Sequence, residues 1–190
     1  SSWTEVNDLN TGRRGLRGAG TSTLGLAMGG GPPTVAATEE WSFPSTPAVQ
    51  EGQLWVKTAT GASSVLKGYQ AQGTGSWASG GNLNTARRGL GGAGVKTGAL
   101  AFSGFTTTLI ANTEAYNGST WSEVNDVNTA RQLLGSAGTV NTASLGFGGD
   151  TDPPNGTATV NTESWNGTSW TEVNNLNTAR VALKGFGTSS

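Results

Sequence analysis

Short runs of alternating apolar and polar residues recur along this chain in recognisable copies. The fullest is Glu163-Ser164-Trp165-Asn166-Gly167-Thr168-Ser169-Trp170-Thr171-Glu172-Val173-Asn174. Aromatic and β-branched residues flank Asn166-Gly167, as strands on either side of a turn require. Asn-Gly is the pair favoured by a two-residue type I′ turn, because both central residues need positive φ. That turn predicts pairing of Trp165 with Thr168, Ser164 with Ser169 and Glu163 with Trp170. Trp165 and Trp170 then become diagonal neighbours on one face. The same text runs from Glu114 through Tyr116, Asn117-Gly118 and Trp121 to Asn125. Fragments of it stand at Ser2–Asn7 and at Glu40-Trp41.

Aligned on the later tryptophan of each unit, the copies sit at Trp3, Trp77, Trp121 and Trp170, at intervals of 74, 44 and 49 residues. Periods of about 40–50 residues are those of propeller blades, and the long interval must hold an insertion. Turn-forming text follows each tryptophan, at 7–13, 82–87, 126–131 and 175–180, and each stretch ends in arginine. A strand of small residues comes next, at 16–21, 90–95 and 134–139. An apolar run ending in Gly29-Gly30, Ser103-Gly104 or Gly148-Gly149 then leads through a variable loop to the hairpin. Each unit thus predicts four antiparallel strands, the number in a blade. The glycine-rich first strand suits the innermost place, where blades converge. No segment carries a helical period. The expected fold is all-β: a β-propeller segment over 1–190, with about three complete blades and a strand at each end (1–7 and 181–188). An insertion at about 42–76 carries an extra hairpin over 52–69, between the third and fourth strands of the first blade.

The order of small-residue strand, double glycine and two spaced aromatics resembles the kelch repeat. Gly29-Gly30 and Gly148-Gly149 match the double glycine, and Ser103-Gly104 keeps its second member. Tyr116/Trp121 and Trp165/Trp170 match the aromatic pair. The resemblance implies a kelch-like propeller. Gly52-Gln53-Leu54-Trp55 followed by Val65-Leu66-Lys67-Gly68-Tyr69 looks like a short module of bacteriophage tail-fibre and related virion proteins. The near-identical repeats around Trp3 and Trp170 look like those of marine phage structural proteins. These likenesses imply a non-enzymatic virion or fibre-type protein, located on the particle. It would recognise other virion proteins, or a host-surface glycan or protein, through its loops. A secreted or cell-surface lectin-like propeller and a purely architectural decoration protein are the alternatives.

Composition narrows the chemistry. Eleven basic and twelve acidic residues leave a net charge of −1, so no field draws in nucleic acid or an anionic membrane. No run approaches the length of a membrane-spanning helix. Glycine, at 31 of 190 residues, is about twice its usual share and suits tight turns and close strands. There is no histidine and no cysteine, which excludes a thiol nucleophile, a disulfide framework and the usual zinc sites. Acid–base catalysis would fall to carboxylates, lysine or tyrosine. Glu114, Glu163, Glu123 and Glu172 are copied with the repeat, as a structural device would be. Copper radical oxidases on kelch-like folds need Cys and His, which are absent. No catalytic residue and no cofactor are expected.

Several residues are candidates for binding. The recurring Arg13, Arg87, Arg131 and Arg180 read either as salt-bridging struts or as a guanidinium ring for an anion or sugar acid. Asp150 and Asp152 alternate as calcium ligands do, yet two acids are few for a shell of about 6–8 oxygens, and no metal site is expected. Trp121 and Trp170 recur with the blade and are expected to pack between blades. Trp55 and Tyr69 lie in the insertion, as a small satellite core or as an exposed platform. The variable loops at 31–38, 105–112 and 150–161 are predicted to share one face with the arginine turns. Specificity on a rigid scaffold resides in such loops. Both ends leave open blade edges, so further blades or other copies of the chain are expected to complete the ring.

Overall fold

The computed structural model describes residues 7–21, 23–42, 75–154 and 156–188, together with the backbone of 54–57 and 65–68. Three four-stranded antiparallel sheets follow one another along the chain. The first holds β1 (Arg17–Gly20), β2 (Leu24–Met28), β3 (Thr38–Ser42) and β6 (Ser76–Ser79). The second holds β7 (Gly91–Val95), β8 (Gly98–Phe102), β9 (Thr113–Tyr116) and β10 (Trp121–Val124). The third holds β11 (Gly135–Val140), β12 (Ala143–Phe147), β13 (Thr162–Trp165) and β14 (Trp170–Val173). Between β3 and β6 the chain detours through a separate pair, β4 (Leu54–Lys57) and β5 (Val65–Gly68), with Leu54 opposite Gly68. The described residues contain no helix.

The sheets are blades. Their first strands, β1, β7 and β11, pack against one another, so the glycine-rich strands are innermost. A Cβ on Gly92 would stand 3.2 Å from the Cβ of Arg17, which shows how closely the inner strands approach. Between successive blades lie the two cores. Leu26, Met28, Leu83, Leu90, Ala99, Ala101, Tyr116 and Trp121 fill the first. Leu100, Phe102, Val127, Leu134, Trp165 and Trp170 fill the second. The indole of Trp170 lies 4.6 Å from the ring of Phe102 in the preceding blade, so the recurring outer tryptophan is an inter-blade packing residue.

The hairpin register differs from the two-residue turn expected. Trp165 pairs with Trp170, Ser164 with Thr171 and Glu163 with Glu172. Tyr116 pairs with Trp121 in the same way. The cause is the asparagine side chain. Asn166 Oδ1 accepts from the backbone N–H of both Thr168 and Ser169 at 2.9 Å, and Gly167 takes a φ of +94°. These bonds close a four-residue loop, as Asx turns do, where a type I′ turn would need positive φ at Asn166 as well. The aromatics are therefore direct partners, with ring centroids 5.5 Å apart for Trp165–Trp170 and 4.8 Å for Tyr116–Trp121. Trp41 and Trp77 make the same pair at 5.5 Å, although 33 residues of chain lie between the end of β3 at Ser42 and the start of β6 at Ser76.

The strand expected at 181–188 is not formed; these residues run as irregular backbone along β11. A strand needs a ladder, and this segment has only isolated cross-links there, from Gly138 N–H to Gly187 O at 3.1 Å and from Ala182 N–H to Leu133 O at 2.8 Å. Of the strand expected at 1–7, residues 1–6, including Trp3, lie outside the described residues, and Asn7 is not in a strand.

Candidate functional site on the loop face

Each turn that leads into a blade is locked by an arginine–glutamate pair. Arg13 Nη1 meets Glu39 Oε1 at 2.7 Å, and Arg131 Nη1 meets Glu163 Oε1 at 2.6 Å. Arg87 pairs likewise with Glu114. The other carboxylate oxygen accepts a backbone N–H of the turn: Asn10 on Glu39, Asn84 on Glu114 and Asn128 on Glu163, each at 2.7 Å. Such charge-assisted bonds offset the desolvation of a buried pair. Burial lowers the pKa of Arg87 from its ordinary value, and the charge of Glu114 opposes that shift. The arginine carbonyl reaches backward. Gly30 N–H donates to Arg87 O at 3.0 Å, Gly104 N–H to Arg131 O at 2.9 Å and Gly149 N–H to Arg180 O at 2.8 Å. One residue type thus holds its own blade by its side chain and the preceding blade by its backbone.

The double glycines follow from that contact. Gly29 and Gly148 have φ of +62° and +61°, and Gly30 and Gly149 of +117° and +108°. A Cβ on Gly29 would stand 2.7 Å from Arg87 O. Ser103 takes the first glycine's place at a φ of +59°, and its hydroxyl donates to Arg131 O at 2.7 Å. The hydrogen bond accompanies a conformation that costs a side chain about 1–3 kcal/mol.

Above these locks, two of the variable loops meet. Arg88 and Phe105 exchange both backbone hydrogen bonds, at 3.0 and 2.8 Å, and the Arg88 guanidinium carbon lies 4.7 Å above the Phe105 ring. Gln132 and Asp150 do the same one blade later, at 2.9 and 2.8 Å. Gln132 Nε2 also donates to Asp150 Oδ2 at 3.0 Å, and Asp152 N–H donates to Asp150 Oδ1 at 3.0 Å. An open cleft of about 770 Å³ lies between the two loops, lined by Arg88, Phe105, Thr108, Asp152, Pro153 and Pro154 among others. A second hollow of about 390 Å³ adjoins it toward the propeller axis and shares Arg88 and Gln132, with Arg14 and Pro32 on its far side. An aromatic face, guanidinium groups, hydroxyls and one exposed carboxylate together suit a polar ligand with an apolar side.

Near the axis, the buried guanidinium of Arg17 donates to the carbonyls of Leu90 and Leu134, the residues that immediately precede the next two inner strands. Burial lowers its pKa. Its charge, and to a lesser degree burial, lowers that of Lys184.

The predicted candidates are not brought together. Asp152 lines the cleft. Asp150 lies beneath it, 5% exposed, with both carboxylate oxygens engaged in shaping the loop. Arg131 is fully buried against Glu163, so the strut and not the anion-binding ring describes it. Trp55 has its backbone in β4; its side chain, and Tyr69 entirely, lie outside the described residues. Among the described residues, no group of three or more acidic, histidine or cysteine side chains could hold a metal ion. Sequence reasoning missed Arg14, Arg88, Gln132 and Phe105. The signal was present: the residue after each recurring arginine is not fixed by the repeat, being arginine in the first two copies (Arg14, Arg88) and Gln132 and Val181 in the later two.

No family model matches the chain, and no curated protein matches it. Solved structures do. The structure titled "Structure of YjhT", a β-propeller, is similar over 88% of this chain at 12% identity, with a TM-score of 0.61. This chain spans 47% of that one. Blades that converge on glycine-rich inner strands and a propeller neighbour lead to one conclusion: the chain has a β-propeller fold.

Proposed function

We propose that this propeller segment is a non-catalytic recognition module of the kind carried on virion fibres, and that it binds through the cleft between the loops at 103–112 and 148–161. The carrying observation is a division of labour within the repeat. The copied arginines, glutamates and tryptophans hold the blades. The residues that change between copies, Arg88, Phe105, Gln132 and Asp152, line an open cleft of about 770 Å³. Variable loops on a rigid frame are where specificity resides. The likeness of the insertion and the repeats to phage fibre proteins supports a host-surface glycan or protein as the ligand. Weak single contacts would gain from many copies on one particle.

Of the copied carboxylates, Glu114 and Glu163 offer little to catalysis, since they are 1% exposed and ion-paired. A lectin-like reading is favoured by one feature, the Phe105 ring with Arg88 upon it, because sugars stack on aromatic faces. The test is a glycan array together with a panel of host-cell envelopes. Wild-type protein and the Arg88→Ala and Phe105→Ala variants are compared at matched melting temperature. Binding lost in both variants supports the cleft. Binding that survives both moves recognition elsewhere, and glycan turnover during the assay would overturn the non-catalytic reading.

A further inference from the structure

The blade-to-blade contact occurs twice among the described residues, and the same surface appears a third time uncovered. At the first contact Leu26 and Met28 of β2 are 1% and 0% exposed, and at the second Leu100 and Phe102 of β8 are both 0% exposed. Their counterparts in β12, Leu145 and Phe147, are only half-buried. The turn residues Leu83 and Val127 are sealed at 3%, whereas their counterpart Leu176 is half-buried. Leu90 and Leu134 are fully buried, whereas Leu183 is half-buried. What covers Phe102 is Trp170 of the following blade, whose indole also donates to Thr113 Oγ1 at 3.1 Å. Thr162, the counterpart of Thr113, turns its hydroxyl to Val160 O at 3.4 Å.

Arg180 is the polar half of the same surface. Arg13, Arg87 and Arg131 each end on a third-strand glutamate of the blade they lead into. Arg180 makes the backward contact in full, through Gly149 at 2.8 Å. The turn beyond it is set as in the earlier copies. Ala182 has a φ of +56°, where Gly15, Gly89 and Leu133 have +65°, +63° and +53°. Ala182 N–H donates to Leu133 O at 2.8 Å, as Leu133 N–H donates to Gly89 O at 2.7 Å. The Arg180 side chain is exposed, and no carboxylate of the described residues pairs with it.

We infer that Leu145, Phe147, Leu176, Arg180 and Leu183 form a docking seat for one further four-stranded antiparallel blade. Its third strand carries a glutamate that takes Arg180, and its fourth strand carries a tryptophan that covers Phe147. A hollow of about 390 Å³ lined by Phe147, Leu176, Arg180, Leu183 and Lys184 is the space these side chains fill. A second copy offering its first blade is not the occupant. Its Glu39 is already held by its own Arg13 at 2.7 Å, and the Asn10 N–H occupies the other oxygen.

The test lengthens the chain by one blade of its own text: residues 1–182 followed by a copy of 134–180. The added blade is expected to fold onto the seat, to raise the melting temperature above that of the 190-residue chain and to protect the new segment from protease. Arg180→Ala should leave the melting temperature of the 190-residue chain unchanged. In the lengthened chain it should lower it as far as Arg131→Ala does. Arg180→Glu should abolish protection of the added blade, and glutamate-to-arginine exchange at the copied Glu163 should restore it. An added segment that stays protease-sensitive, or one that folds indifferently to Arg180, overturns the proposal. Light scattering on the 190-residue chain gives a second check. Self-association that Arg180→Glu removes would make the occupant a second copy and overturn it as well.

Discussion

Arg131 and Glu163 meet at 2.6 Å with 0% and 1% of their side chains exposed, at the point where the chain passes from the second blade into the third. The Arg131 carbonyl accepts from Gly104 of the second blade at 2.9 Å, so this pair stands on the only covalent crossing between the two. Removing one partner leaves a buried charge without compensation, which costs about 3–5 kcal/mol. Arg131→Ala is therefore expected to lower stability by that order in denaturant unfolding. Arg131→Lys should recover part of it, because an ammonium keeps the charge but cannot fork between Glu163 and the carbonyl of Gly146. Equal stability of wild type and Arg131→Ala would remove the strut from the account of the fold.

The hairpin loop gives a local prediction. Asn166 Oδ1 accepts two backbone N–H groups, and its counterpart Asn117 does the same for Ser119 and Thr120 at 2.9 Å. Asn166→Ala should cost about 1 kcal/mol, the usual net worth of such bonds. Asn166→Asp keeps the acceptor and should cost less. The two variants would be ranked by chemical denaturation, and the reverse ranking would mean that the side-chain amide matters in some other way.

Gly104 tests the close packing of the second blade's loop against its own entry turn. It has a φ of +113°, and a Cβ there would stand 2.9 Å from Arg88 O and 3.2 Å from Leu90. Gly104→Ala is expected to destabilise by about 1–3 kcal/mol through backbone strain alone, with more from the contact. By contrast Gly12, where a Cβ meets nothing within 4 Å, should accept alanine with a change of about 0.5 kcal/mol or less. Thermal unfolding of the pair separates backbone conformation from a general dislike of lost glycines.

Blade architecture was legible because it is copied. The tryptophan spacing, the double glycines and the arginine turns each recur at a fixed place, and repetition turns weak local signals into one strong one. The hairpin register was misread because Asn-Gly suits two loop lengths. The choice between them rests on an asparagine side-chain bond that a residue pair does not display. Arg131 read equally as strut or ligand, and burial against Glu163 decided it. The cleft was the least legible part. Arg88 and Phe105 lie 17 positions apart, and only the antiparallel bridge between two loops sets the guanidinium on the ring. Variable positions carry no repeat to announce them.

Tyr116 joins the first two blades in a way that pH should expose. Its hydroxyl donates to Glu40 Oε1 across the blade interface, and Lys96 Nζ approaches the other Glu40 oxygen at 3.0 Å. Burial first, then the hydrogen bond and negative charge of Glu40, push the Tyr116 pKa from 10.0 up to about 12. The folded state thus favours the neutral phenol. The stability this confers is fully present below about pH 10, where an unfolded tyrosine titrates. It is lost as pH rises through about 12. The chain has two tyrosines, so Tyr69→Phe leaves a single phenol to follow by its ultraviolet absorbance. In that variant the phenolate should emerge near pH 12, together with loss of the folded state. Glu40→Gln removes the charge while keeping an acceptor, and should move the transition toward pH 10. A phenolate that forms near pH 10 in the folded Tyr69→Phe protein would mean that the Tyr116–Glu40 bridge does not hold these blades in solution.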